Sequence, residues 1–121
     1  IASSLSVPSN NLVVAGTTHR QMMIAIKRLA ELGGGIVVVQ GDLVVAEVSL
    51  PACGIMTNRL YEGLLFDLDA ATAVVKKMGS SLLHPFFTMA QTTLSSLPEV
   101  GFTDMGLIDC ASQSIIQVLV S

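Results

Sequence analysis

Three consecutive glycines, Gly33 to Gly35, stand between a helix-like run and two valine-rich runs, and they constrain this chain more than any other feature. Residues 29–57 read LAELGGGIVVVQGDLVVAEVSLPACGIMT. A phosphate cradle runs strand, glycines, helix, because the helix N-terminus supplies the free N–H groups and the positive dipole end. Here the order is helix, glycines, strand. The glycines therefore mark a helix stop and a chain reversal, and a nucleotide loop is disfavoured. After them, residues 35–40 and 43–48 flank Gly41-Asp42, a hairpin signal. Both runs are almost wholly apolar, which predicts a hairpin covered on both faces. Pro51 and Gly54 then break the pattern into a loop.

Around this centre the remaining elements follow from period and punctuation. Residues 12–15 predict a short buried strand. Thr18 and Gln21 have capping-box spacing, which predicts a helix over 19–32. Met22, Ile26, Leu29 and Gly33 recur at helical spacing as its buried stripe, with Arg20, Lys27 and Glu31 off it. Thr57 or Asn58 caps a second predicted helix ending near Met78. Its buried face carries Leu60, Leu64, Leu68, Ala71, Val75 and Met78, and Lys76 and Lys77 suit the negative end of the dipole. Residues 86–97 are ambiguous, with a short helix to Leu94 favoured. Residues 98–103 read as loop or edge strand, 103–106 as a turn, and 115–120 as a closing strand. The sum is an α+β fold, a mostly antiparallel or mixed sheet with two main helices packed on it, and residues 1–121 as one domain.

Composition adds a requirement for cover. Only 12% of the residues are charged and 51% are hydrophobic, with a mean hydropathy of +0.70. An average globular domain carries about 25% charged residues. A domain this small leaves apolar side chains outside its core, so a large apolar surface is expected against another domain or identical subunits. A membrane is disfavoured, because the longest apolar runs, 36–39 and 43–46, fall far short of the ~18–20 residues that span a bilayer. The start of the chain has neither an initiator Met nor the basic and apolar regions of a secretion signal. That predicts a trimmed chain or part of a longer one. The net charge of -3, with scattered basic residues and one Tyr, gives nucleic-acid binding no support. Cys53 and Cys110 read as small buried hydrophobes in a reducing, cytoplasmic compartment, ahead of a disulfide.

Parts for catalysis are scarce. A hydrolytic metal site needs several imidazoles or carboxylates converging on the ion. The two histidines, His19 and His84, belong to no metal motif and read as exposed or capping residues. No GxSxG elbow exists, Asp42 reads as a turn residue, and Asp104 and Asp109 as turn or cap residues. Gly16-Thr17-Thr18 is the one backbone anion pocket the pattern offers, with plain capping favoured.

Several runs in register carry a resemblance. They are Asn11-Leu-Val-Val-Ala-Gly-Thr-Thr, Ala25-Ile-Lys-Arg-Leu, Leu32-Gly-Gly-Gly-Ile-Val-Val-Val and Leu50-Pro-Ala-Cys-Gly-Ile-Met-Thr, followed by His84-Pro-Phe-Phe-Thr-Met and Thr103-Asp-Met-Gly-Leu-Ile-Asp. Over nearly the whole chain this resembles the C-terminal domain of bacterial adenine deaminases. The resemblance implies an amidohydrolase whose metal-bearing (β/α)-barrel precedes this domain and converts adenine and water to hypoxanthine and ammonia. Manganese or iron is implied for that barrel, and no cofactor for this chain. The implied partner is the barrel of the same longer chain, or identical subunits. One departure stands out: the family's His-Asp-Ser-His-Asn segment is Val7-Pro8-Ser9-Asn10-Asn11 here. If that segment reaches the active site, altered specificity or loss of the standard activity follows. His84 in place of the family's Asp points the same way.

The residues expected nearest a substrate are Ser9, Asn10 and Asn11, with the 51–57 loop and its Met56, shaping or closing a neighbouring pocket. No catalytic or metal-binding residue is expected on this chain. The principal reading is a domain that packs on the barrel and is not catalytic alone. The alternative is a free-standing oligomerising or small-ligand-binding module derived from that domain.

Overall fold

The structure is a computed structural model and describes residues 1–6, 11–96 and 99–117. It has three helices and two antiparallel sheets among these residues, an α+β fold. The first sheet has the order β2-β1-β3-β4, with β1 at Ala2–Ser3, β2 at Val13–Val14, β3 at Gly35–Gln40 and β4 at Leu43–Ser49. Helix α1, His19–Leu32, lies on one face and α2, Tyr61–Lys77, on the other.

The central strand explains the apolar run after the glycines. Side chains on a strand alternate between faces. Val37 and Val39 pack with Ala25 and Leu29 of α1. Ile36 and Val38 pack with Ala71 and Val75 of α2 and with Phe86 of a short third helix, α3, at Pro85–Gln91. A strand buried on both faces reads as continuous hydrophobicity rather than alternation.

Helix α1 begins and ends where its sequence predicts. The Thr18 hydroxyl accepts from the Gln21 N–H at 3.3 Å, and the helix stops on Gly33 in the left-handed region at φ 76°. Its buried stripe is centred on Ala25 and Leu29, with Met22 and Ile26 half-buried beside it. The Arg28 guanidinium reaches across to the Glu47 carboxylate on β4 with two hydrogen bonds of 2.8 and 2.9 Å, and to Glu31 at 3.0 Å.

That ion pair carries a pH prediction. The hydrogen bonds from Arg28 hold the Glu47 carboxyl below its ordinary value of 4.5. A carboxyl lowered in the folded state contributes stability that is fully present above its unfolded value and lost as pH falls through the folded one. Arg28 stays charged throughout, so the titration belongs to Glu47. Glu47→Gln is expected to flatten the acid limb of the stability curve below pH 4.5 in urea titrations. The effect should be small, because the two side chains remain 37% and 38% exposed and solvent screens the pair.

Several expectations are corrected. Of the two hairpin strands, β3 is covered on both faces and β4 is not. The first half of β4 emerges from the core, with Leu43 71% exposed and Val44 and Val45 also exposed, and the ladder shifts register opposite Val38 and Val39. Helix α2 starts at Tyr61, with Leu60 at its N-cap, rather than after Thr57 or Asn58; the Thr57 hydroxyl accepts from the Arg59 N–H in the segment before it. Leu60 and Met78 are exposed rather than part of the buried face. Cys53 is exposed and Cys110 half-buried, both as free thiols, so neither is a buried core residue.

Helix α3 ends at Gln91, short of Leu94. A second sheet, β5 (Val100–Thr103), β6 (Gly106–Asp109) and β7 (Ser114–Ile115), replaces the single closing strand. Residues 116 and 117 lie outside β7, and 118–120 lie outside the described residues. The turn at 103–106 joins β5 to β6, with the Thr103 hydroxyl accepting from the Met105 N–H and donating to the Gly106 carbonyl.

Candidate functional site

The segments singled out from sequence converge on one end of the first sheet. The register pairs Ser3 with both Val13 and Ile36. The next residues outward, Ser4, Leu12 and Gly35, therefore sit level at that end, and Gly35 pairs with Ser49 just before the 50–57 loop. Asn11 and the loop that carries Met56 thus leave the sheet at the same end. Ser9 and Asn10 lie outside the described residues.

The 50–57 loop is held by a latch that spans three distant parts of the chain. Ser4 Oγ accepts from the Gly35 N–H at 2.7 Å and donates to the Gly54 carbonyl. The glycines make this approach possible. A Cβ on Gly34 would lie 2.3 Å from Gly54 Cα, and a Cβ on Gly35 would lie 1.9 Å from the Val48 carbonyl oxygen. Beyond the latch, Ala52 and Met56 exchange two backbone hydrogen bonds of 3.0 Å. Cys53 and Gly54 both have positive φ, 56° and 76°, and the Ile55 N–H returns to the Ala52 carbonyl at 3.2 Å. That is a type I′ turn, and it puts a non-glycine residue, Cys53, in the left-handed region. Ser4→Ala removes the acceptor of one backbone group and the donor to another in a part-buried place. It is expected to cost ~2 kcal/mol in urea unfolding.

Asn11 borders a different feature, an open cleft of about 1010 Å³. Its walls are Leu12 and Val14 on the β2 edge, Met89 and Leu94 at the end of α3 and beyond it, and Phe102 on β5. Thr92 and Asp104 add polar groups. Met56 does not line it. The structure therefore brings Asn11 and Met56 to one end of the sheet without joining them in one pocket. Met56 is exposed, with its backbone fixed by Ala52. Ser4, Gly34 and Gly54 are the residues sequence reasoning missed; the signal available was a glycine run longer than a helix stop requires.

The acid and base groups occupy structural positions. Asp42 forms a two-hydrogen-bond pair with Arg20 at 2.8 Å, tying the hairpin turn to α1. Asp109 accepts from the Ala111 and Ser112 N–H groups, and these bonds hold its carboxyl below the ordinary range. His84 is the N-cap residue of α3, before Pro85, and lines a small cavity of about 280 Å³ with Thr72 and Phe87. His19 is exposed at the first position of α1. Among the described residues, no three His, Cys, Asp or Glu side chains gather to hold a metal ion. No helix among the described residues is long and apolar enough to cross a membrane.

These features define the class: a small α+β domain that offers a stiffened loop, a cleft and exposed apolar surface. Residues 1–114 match the family described as the adenine deaminase C-terminal domain, and the chain belongs to that family. It is 34% identical over 120 residues to an adenine deaminase of Clostridium botulinum (strain ATCC 19397 / Type A), covering 99% of this chain and 20% of that protein. Adenine deaminase 2 of Carboxydothermus hydrogenoformans is 34% identical over 119 residues, 98% of this chain and 21% of that protein. An adenine deaminase of Thermosipho melanesiensis is 35% identical over 123 residues, 99% and 21% respectively. The chain thus spans about a fifth of the length of the curated relatives it matches.

Proposed function

We propose that residues 1–121 form a single domain that packs on the metal-bearing barrel of an adenine deaminase-like amidohydrolase and is not catalytic alone. The whole enzyme would convert adenine and water to hypoxanthine and ammonia in the cytoplasm. The observation that carries this reading is the match of nearly the entire chain to a domain that makes up only 20% of its relatives. Manganese or iron would be held by barrel side chains. This chain's part is to cover apolar barrel surface and to place Ser9, Asn10, Asn11 and the Met56 loop beside the neighbouring pocket. Replacement of the family's His-Asp-Ser-His-Asn segment by Val7-Pro8-Ser9-Asn10-Asn11 makes altered specificity part of the proposal.

Ammonia release with manganese present tests it. The longer polypeptide carrying this domain should deaminate adenine or a related aminopurine, and the 121-residue chain should not. Turnover by the short chain, or a longer polypeptide inert toward all aminopurines, would overturn the reading. A second reading, a free-standing oligomerising or small-ligand-binding module, draws on the cleft of about 1010 Å³. Light scattering that returns a closed oligomer of the 121-residue chain favours that alternative.

A further inference from the structure

The N-terminus of α2 departs from ordinary capping. Leu60 occupies the N-cap position of α2, makes no side-chain bond to the first turn, and is 80% exposed. Polar residues are strongly preferred there, because they satisfy helix N–H groups that otherwise face solvent. Thr57 and Asn58 stand just upstream, yet the helix does not use them. Exposed apolar side chains gather around Leu60: Met56 on the loop, then Tyr61, with Leu65 one turn further along α2. Asn58, Arg59 and Glu62 are exposed among them, and the nearby cation is paired rather than free. Arg59 pairs with Asp67 and lies over Gly63, where a Cβ would come within 3.2 Å of its guanidinium. Interface cores are depleted of charge and enriched in Tyr and Met. The loop itself is pre-set by the Ser4 latch and the turn at Cys53, so little ordering cost remains on association.

We propose that the tip of the 50–57 loop and the first turns of α2, with Met56, Leu60, Tyr61 and Leu65 at the centre, form the seat for the preceding part of the same polypeptide. This rests on the reading of the chain as the C-terminal domain of a longer enzyme. The occupant follows from tethering. The greater part of each relative lies outside the matched 20%, and a covalently linked partner faces this surface at effective concentrations of about millimolar. A second copy in dilute solution competes poorly with that. The exposed Leu43 and Met105 side chains sit at hairpin tips without the Ser4 latch.

Cys53, exposed at the tip of this loop, is a built-in reporter. The test is maleimide labelling of Cys53 in the native longer polypeptide, read by mass spectrometry of its peptide against the urea-unfolded state. Labelling at least tenfold slower in the native protein is expected. Leu60→Glu should restore fast labelling, with the melting temperature checked to show that the fold persists. Leu43→Glu, at the opposite end of the sheet, should leave Cys53 protected. Fast labelling in the unmodified protein overturns the proposal, as does equal release by both variants. Protection that disappears on dilution also overturns it, since a second copy would then be the cover. Deaminase activity measured on the same samples separates the two claims. An active enzyme with an unprotected Cys53 sinks this surface alone, and an inactive one sinks the functional reading.

Discussion

Gly35→Ala should remove ~4 kcal/mol or more of folding stability, a large fraction of the ~5–15 kcal/mol that keeps a domain folded. Gly35 lies at φ 128°, where a side chain is strained whatever the space. An added Cβ would also lie 1.9 Å from the Val48 carbonyl oxygen and 3.0 Å from the Leu50 nitrogen, both backbone atoms of the neighbouring strand and its exit. Backbone cannot step aside as a flexible side chain can, so β3 and β4 must separate. The same shift pulls the Gly35 N–H away from Ser4 and opens the latch on Gly54. Gly41→Ala is the control. Gly41 is also left-handed, at φ 61°, but an added Cβ meets nothing within 4 Å, so its cost should stay at ~1–2 kcal/mol. Urea unfolding of both variants decides between them. Equal losses would mean that left-handed strain, and not the approach to Val48, sets the requirement for glycine.

The second large effect lies in the layer between α1 and the sheet. Leu29 is 2% exposed and packs with Ala25, Val37 and Val39. Leu29→Ala leaves a cavity in a layer held between a helix and a strand covered on both faces, where collapse is hard, and should cost ~3 kcal/mol. Leu60→Ala, on a leucine that the helical pattern places on the buried face of α2, should change stability by less than ~0.5 kcal/mol in the same thermal or urea measurement. A large loss at Leu60 would return it to the core and remove the basis for an exposed apolar seat.

Local interactions were legible in the residues; long-range ones were not. The bounds of α1 follow from Thr18 and Gly33, whose capping bonds lie within a turn of the helix ends. The hairpin of β3 and β4 follows from two apolar runs across Gly41-Asp42. The two-residue strand β1 escapes notice, because Ala2–Ser3 is too short to show a period, yet it joins β2 to β3. The start of α2 is misplaced by about three residues: Thr57 has capping chemistry and accepts from Arg59, yet the helix begins at Tyr61 behind an uncapped Leu60. The latch is invisible in sequence, since Ser4 is separated by 31 residues from Gly35 and by 50 from Gly54. For the candidate site, sequence names Asn11 and Met56 as pocket-shaping residues but gives no sign that they leave the first sheet at the same end, or that Asn11 lines the cleft and Met56 does not. Cys53 reads as an apolar core residue, whereas it stands exposed in a turn whose Gly54 carbonyl accepts from the distant Ser4.

The most direct test of the account compares the longer polypeptide with a version truncated just before Ile1, assayed for ammonia release from adenine and related aminopurines with manganese. If the domain covers apolar barrel surface and borders the pocket as proposed, truncation is expected to lower kcat/KM at least tenfold. A truncated protein as active and as soluble as the intact one would contradict it.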